Sequence, residues 1–169
     1  MEKWKVIVPG TGTDETLLPG LGDDGIGVLS PYTYSVALNN PENNKFVEKR
    51  KKSYKKEATT IMAINYLAAD WIVRAINAVN GDVENKEKFM QALQGVELTD
   101  SLLGPLKLDK YGQAVTNIYI RRVDKVGRGY QNTVIETYPM VSQFWKYDPE
   151  TYLKSPLYSR DYPPCKFCE

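Results

Sequence analysis

Histidine is absent from the 169 residues. That removes every Ser–His or Cys–His nucleophile pair, every imidazole metal ligand and every histidine proton relay. Asp, Glu, Lys, Tyr and two Cys remain as titratable chemistry. Long apolar runs are also missing, and none approaches the roughly 18 residues a membrane span requires. Met1-Glu2-Lys3-Trp4-Lys5 lacks the apolar core of an export signal. The expectation is either a cytoplasmic protein or a true N-terminus upstream of this chain. Charge of one sign is lacking too. Lys plus Arg is 22 and Asp plus Glu is 21, a formal net charge of +1. A protein that lives on phosphate backbones is far more basic, so no nucleic-acid partner is expected.

Cysteine is confined to the end, in Pro163-Pro164-Cys165-Lys166-Phe167-Cys168. A Cys-x-x-Cys pair serves as a redox couple, half a zinc site or a local disulfide. Zinc needs two more ligands, and no His or further Cys supplies them; no metal site is expected. A thioredoxin-type pair belongs at a helix start after a strand, not in a Pro-rich tail. A tail disulfide or two idle thiols fits the position better.

What is present reads as globular: 42% hydrophobic, 25% charged, with 12 Tyr, 12 Gly and 10 Pro. The length suits one ordinary domain or a piece of something larger. Trp4 to Val8 predicts a strand, stopped by Pro9-Gly10. In the loop Gly10-Thr11-Gly12-Thr13-Asp14-Glu15, Thr13 or Asp14 can cap a short helix through Leu17-Leu18, which Pro19-Gly20 ends. Gly25 to Ser30 predicts a second strand. Asn40 and Pro41 predict a helix start. The helix runs through the basic stretch Lys45 to Lys56, burying Phe46, Val47 and Tyr54. Seven basic residues there read as a solvated face rather than a nucleic-acid patch.

Ile61, Ile64, Ala68, Ile72, Ala75 and Val79, spaced 3, 4, 4, 3 and 4, predict one buried helix stripe ended by Asn80-Gly81. A shorter helix over Lys86 to Leu93 points Phe89, Met90 and Leu93 inward. Gly104 to Asp109 is extended before a turn at Tyr111-Gly112. Val115 to Val123 and Tyr130 to Thr137 predict a hairpin around Lys125 to Gly129. After Pro139 the chain is aromatic and irregular, a tail wrapped on a surface. Strands alternating with helices argue α/β, but the short strands make an incomplete sheet that fits a fragment of a larger α/β protein.

Gly10-Thr11-Gly12-Thr13 between a strand and a helix can cradle a small ligand on backbone N–H groups. It lacks the Gly-Lys-Ser/Thr ending of a P-loop and the third Gly of a dinucleotide fingerprint, so no nucleotide cofactor is expected. Asp14, Glu15, Asp23 and Asp24 can be imagined as an acid/base pair, or simply as caps and turns. Tyr32 and Tyr34 follow a strand and either line a pocket or pack between two halves of a protein.

The order of these features resembles a known family. Gly10 to Glu15 followed by Leu21-Gly22-Asp23-Asp24-Gly25-Ile26-Gly27-Val28 looks like the close of the second lobe of type I periplasmic binding proteins. It is most similar to the branched-chain amino acid and amide binders of ABC importers. Pro41-Glu42-Asn43-Asn44-Lys45-Phe46-Val47 looks like the family's Pro-x-Asn-x-x-Phe-Val segment. Tyr66-Leu67-Ala68-Ala69 through Ala75-Ile76 looks like its Tyr-x-Ala helix. Leu103 to Asp109, then Gly112, looks like its Gly-x-hydrophobic-x-Phe-Asp-x-x-Gly turn.

The resemblance implies part of a two-lobed α/β fold with three-layer α/β/α lobes, lacking the core of the N-terminal lobe. It implies that residues 1–30 close a second-lobe segment, 31–137 hold the hinge crossing, first-lobe helices and returning strands, and 138–169 form an aromatic, Pro-rich tail. It also implies a non-enzymatic, periplasmic or extracellular component of an importer. Such a component captures an amino acid, amide, urea or aromatic acid and hands it to a membrane permease. By resemblance Gly10, Thr11, Gly12, Thr13 and Asp14 line the cleft, Ile61 or Met62 lies beside the ligand, and Tyr32 and Tyr34 stand near the hinge. Amino-acid binders place an acidic residue where Gly10 stands, which argues against an α-amino acid unless Asp14 or Glu15 substitutes. A ligand-sensing domain of the same fold and an α/β enzyme acting on a phosphorylated small molecule are the rival readings.

Overall fold

A computed structural model describes residues 5–159, 161 and 164. The expected Cys165–Cys168 pair lies outside them, as does Trp4. The predicted first strand is reduced to one parallel bridge, Ile7 to Leu29, held by Val8 N–H to Leu29 O and Leu29 N–H to Val6 O, each 2.9 Å. A 3₁₀ turn over Gly10–Thr13 follows, then α1 (Leu18–Leu21) and a second 3₁₀ turn over Gly22–Gly25. Pro19 sits in the first turn of α1 and so opens the segment it was expected to end; a first-turn residue has no intrahelical use for an N–H. The second strand also starts later than expected. Residues 25–28 form a turn with Gly27 at φ +88°, and β1 is Leu29–Tyr32.

α2 (Pro41–Tyr54) begins as predicted, with the Asn40 side chain accepting the Asn43 N–H at 2.8 Å. Phe46 and Val47 are half-buried, but Tyr54 is exposed beneath the Arg50 guanidinium rather than buried. α3 spans Thr60–Ala78, capped by Thr59. Its buried side is Thr60, Ala63, Leu67 and Ala75, with the half-buried Trp71 donating to Leu93 O at 2.9 Å. The predicted stripe therefore holds only at Ala75 and at Val79, just past the helix end. Ile61, Ile64 and Ile72 are 66%, 42% and 47% exposed. The helix is apolar on two faces, and the one carrying Ala63, Leu67 and Ala75 packs into the core. α4 (Lys86–Gln94) turns Phe89, Ala92 and Leu93 toward the core, while Met90 is exposed against expectation.

β2 (Glu97–Ser101), which the sequence pattern did not reveal, pairs with β3 (Gly104–Leu108). β4 (Ala114–Val126) and β5 (Gly129–Val141) form the predicted hairpin. All strand pairs are antiparallel, and β4 organises them. β5 runs along one edge of β4; the other edge is shared by β3, at Ala114 to Thr116, and β1, at Tyr119 to Arg122. The described architecture is mixed α/β.

The core joins Tyr34 and Leu38 to Ala63 and Leu67 of α3, Leu98 of β2, Leu102, Leu103 and Tyr119. β5 passes through Pro139 to Val141, so the irregular stretch starts later than expected. A register shift near Ile118, with the Met140 N–H donating to Asn117 Oδ1 at 3.1 Å, accommodates the proline. Beyond it Phe144 is buried edge-on against Tyr111 and Tyr152, at ring separations of 5.4 and 5.7 Å, and α5 spans Pro149–Leu153. Among the described residues no helix is long and apolar enough to cross a membrane.

Candidate functional site

The loop Gly10 to Glu15 closes onto a buried cation. Alternation along β4 turns Tyr119, Arg121 and Val123 inward and leaves Arg122 outside, paired to Asp124 at 2.7 Å. Arg121 is 0% exposed. Its guanidinium donates to Tyr34 O at 2.8 Å, Gly10 O at 2.9 Å, and Thr13 Oγ1 and Ser30 Oγ at 3.1 Å. The Tyr32 ring lies 4.9 Å from it, face on. Thr13 and Ser30 hydroxyls are 2.7 Å apart. Burial pulls the Arg121 pKa down, and the Glu15 carboxylate acts against that shift.

Glu15 links this cation to α3. Oε1 lies 3.8 Å from Arg121 Nη1 and accepts from Asn132 Nδ2 at 3.3 Å. Oε2 accepts from the Thr60 hydroxyl at 3.1 Å and the Thr60 N–H at 3.3 Å. A carboxylate at a helix N-terminus also complements the helix dipole. Asn132, on β5, further donates to Thr13 O at 2.7 Å, and its backbone carbonyl accepts from the Ser35 hydroxyl. Asn132 Oδ1 is buried and has no donor among the described residues.

The residues singled out from sequence thus divide. The loop 10–14, Tyr32 and the start of α3 with Ile61 and Met62 come into one neighbourhood through Arg121 and Glu15. Gly10 is buried beneath Tyr32; a Cβ there would collide with the Cγ and Cδ2 atoms of the tyrosine ring. Thr13 is fully buried and structural in its contacts, whereas Thr11, Gly12 and Ile61 are exposed and Asp14 and Met62 are half-buried. Tyr34 lies wholly in the core, its hydroxyl donating to Asn43 Oδ1 at 2.7 Å.

The four carboxylates considered together do not act as one group. Asp14 Oδ1 accepts from Thr16 N–H and Oγ1 at 3.1 and 2.7 Å, an Asx turn ahead of α1. α1 itself starts after Leu17 with no side-chain cap, so neither Thr13 nor Asp14 caps it as expected. Asp23 instead binds Lys125 and Tyr130 at 2.7 and 2.8 Å. Those two hydrogen bonds hold the Asp23 carboxyl below its ordinary range. Sequence reasoning missed Arg121, Asn132, Ser30 and Thr60. The available signal was two adjacent arginines in an alternating strand, which forces one of them inward.

A second feature is apolar. Ile64, Ala68 and Ile72 of α3 face Leu106 and Leu108 of β3 across an open concavity of 360 Å³. Among the described residues no cluster of three or more His, Cys, Asp or Glu side chains is arranged to hold a metal ion.

Comparison with known proteins agrees with this architecture. A family model described as periplasmic binding protein matches residues 2–128. The Leu/Ile/Val-binding protein homolog 6 of Brucella abortus is 31% identical over 137 residues, 79% of this chain and 35% of that relative. The ABC transporter substrate-binding protein from Sphaerobacter thermophilus superposes with a TM-score of 0.77 at 30% identity, over 82% of this chain and 38% of that one. The ABC transporter solute-binding protein from Rhodopseudomonas palustris BisB5, in complex with 3,4-dihydroxybenzoic acid, gives a TM-score of 0.76 at 28% identity, over 87% and 39%. The chain spans about a third of the length of these relatives. With a match across residues 2–128 and the fold of ABC transporter substrate-binding proteins, the chain belongs to the periplasmic binding protein family.

Proposed function

We propose that the chain serves a solute-binding component of an ABC importer, working in the periplasm and handing its ligand to a membrane permease. The ligand is a small aromatic carboxylate. It lies against Thr11, Gly12 and Asp14, Tyr32, Ile61 and Met62, with Gly10 and Thr13 holding the loop from beneath and Tyr34 anchoring the hinge from the core. Residues 1–30 close a second-lobe segment, 31–137 carry the hinge crossing, first-lobe helices and returning strands, and 138–169 the tail. Ligand contacts from both lobes stabilise a closed state, and only a difference in affinity between open and closed states shifts that equilibrium. The role is capture, not catalysis: Glu15 is consumed by Arg121, Asn132 and Thr60, and Asp14 by Thr16.

One observation carries the choice of ligand. The names of the relatives offer branched-chain amino acids and an aromatic acid. An α-amino acid brings an ammonium, which needs an unpaired carboxylate when desolvated. Position 10 is glycine, Glu15, with its side chain 11% exposed, already neutralises a buried arginine, and Asp14 Oδ1 is turned back onto Thr16. A ligand without an ammonium matches that loop, and the half-buried Tyr32 offers an aromatic face. Thermal-shift screening of the full-length protein against 3,4-dihydroxybenzoate, benzoate, leucine, valine, acetamide and urea tests the reading. Stabilisation by the benzoates alone supports it; stabilisation by leucine or valine overturns the ligand class.

A further inference from the structure

We propose that Glu15 and Arg121 are positioning residues that set the spacing between the ligand-facing loop and the start of α3. This rests on the cleft reading above. The loop 10–14 and residues 61–62 are separated by some fifty residues, yet both must meet one small molecule. The Glu15 side chain joins the two elements. Glu15 extends from the loop and holds Thr60 through its hydroxyl and N–H, at 3.1 and 3.3 Å.

Glu15 alone could swing. Arg121 stops it, because the guanidinium fork fixes the loop at Gly10 O and Thr13 Oγ1 and fixes β1 at Ser30 Oγ. Asn132 closes the arrangement from β5, donating to Thr13 O and to Glu15 Oε1. Loop, hinge strand and helix start therefore share one charged junction. Arg121 is fully buried, so it acts through the loop and never touches ligand. An apolar side chain of similar volume fills the space but holds none of these acceptors, and spacing is lost where fold is kept.

Hydrogen exchange on the ligand-free full-length protein tests this with R121M, R121K, E15Q and the core-cavity variant L98A as reference. Leu98 is buried in β2, outside the junction. The expected result is an exchange ratio of residues 10–17 and 60–64 to the β4–β5 hairpin raised about tenfold in R121M and E15Q, the hairpin itself speeding up in R121M by its loss of global stability. R121K, which keeps the charge, falls between them and the wild type, and L98A leaves the loop-to-hairpin ratio as it was. A uniform rise across the chain, or no change at 10–17 and 60–64, overturns the proposal. If R121M does not fold, E15Q decides.

The second readout is affinity for 3,4-dihydroxybenzoate, expected to weaken about tenfold in E15Q and to stay constant in L98A. An unchanged E15Q affinity overturns the positioning role. Failure of the wild type to bind overturns the ligand reading, and the exchange pattern still decides the junction.

Discussion

Arg121 Nη2 donates to the Gly10 carbonyl oxygen at 2.9 Å, across 111 residues of chain. The guanidinium has no exposure, and its remaining donors are directed at Tyr34 O, Thr13 and Ser30. A buried cation survives only when its donors and its charge are matched. Here the match is made by the loop that the family resemblance places at the cleft.

Removing that cation leaves Glu15, largely shielded from solvent, without a counter-charge and several acceptors without donors. Arg121→Met is expected to lower stability by about 3–5 kcal/mol. Arg121→Lys, which keeps charge but loses the planar fork, should cost about 1–3 kcal/mol. Urea denaturation of both variants checks the order. A loss below that of Arg121→Lys in the methionine variant contradicts the assignment.

Gly10 is required by Tyr32. Gly10→Ala drives a methyl into the ring and must displace it from the guanidinium. The expected cost is about 1–3 kcal/mol, with weakened ligand binding. At Gly12 a Cβ would come no closer than 3.2 Å, to a Val8 methyl, so Gly12→Ala should be the milder change. Thermal unfolding of the pair measures the difference.

α3 leaves Ile61, Ile64, Ile72 and Val73 exposed to solvent, Ile64 and Ile72 along the open concavity against β3. An apolar patch of this kind promotes association. The isolated 169-residue chain should bind a hydrophobic dye and self-associate or aggregate as concentration rises. Ile64→Lys with Ile72→Lys should suppress both. Dye fluorescence and sedimentation velocity provide the check, and a monomeric, dye-free wild type would refute the expectation.

Burial raises the pKa of both Tyr34 and Tyr119, and the Glu15 charge adds to the shift at Tyr34. Their hydroxyls donate to Asn43 Oδ1 and Leu103 O, each at 2.7 Å. A folded-state pKa above the unfolded value of 10.0 means this stability is complete below about pH 10. It is lost as pH rises through the folded values, because the unfolded chain releases protons that the folded chain keeps. Ultraviolet titration should show part of the 12 tyrosines ionising only together with unfolding. Smooth ionisation of all of them in the folded protein would contradict this.

Local chemistry was readable where it decided the outcome locally. Asn40-Pro41 opened a helix, and β-branched runs around Gly127 and Gly129 made a hairpin. α3 misled because apolar residues occupy two of its faces, and periodicity alone does not choose between Ile64-Ala68-Ile72 and Ala63-Leu67. β2 escaped notice because Glu97-Leu98-Thr99-Asp100-Ser101 holds one apolar residue; pairing with β3 makes it a strand. At the site, the loop and Tyr32 could be named from neighbouring positions. Arg121 and Asn132 arrive from about a hundred residues away, and only the fold brings them there.

A loop whose Glu15 answers Arg121 and whose Asp14 is turned onto Thr16 suits an aromatic carboxylate better than an α-amino acid. Isothermal titration of the full-length protein with 3,4-dihydroxybenzoate and with leucine, in one buffer, tests it most directly. Saturable heat with 3,4-dihydroxybenzoate and none with leucine is the expected result; saturable binding of leucine with silence from the aromatic acid would overturn the ligand class.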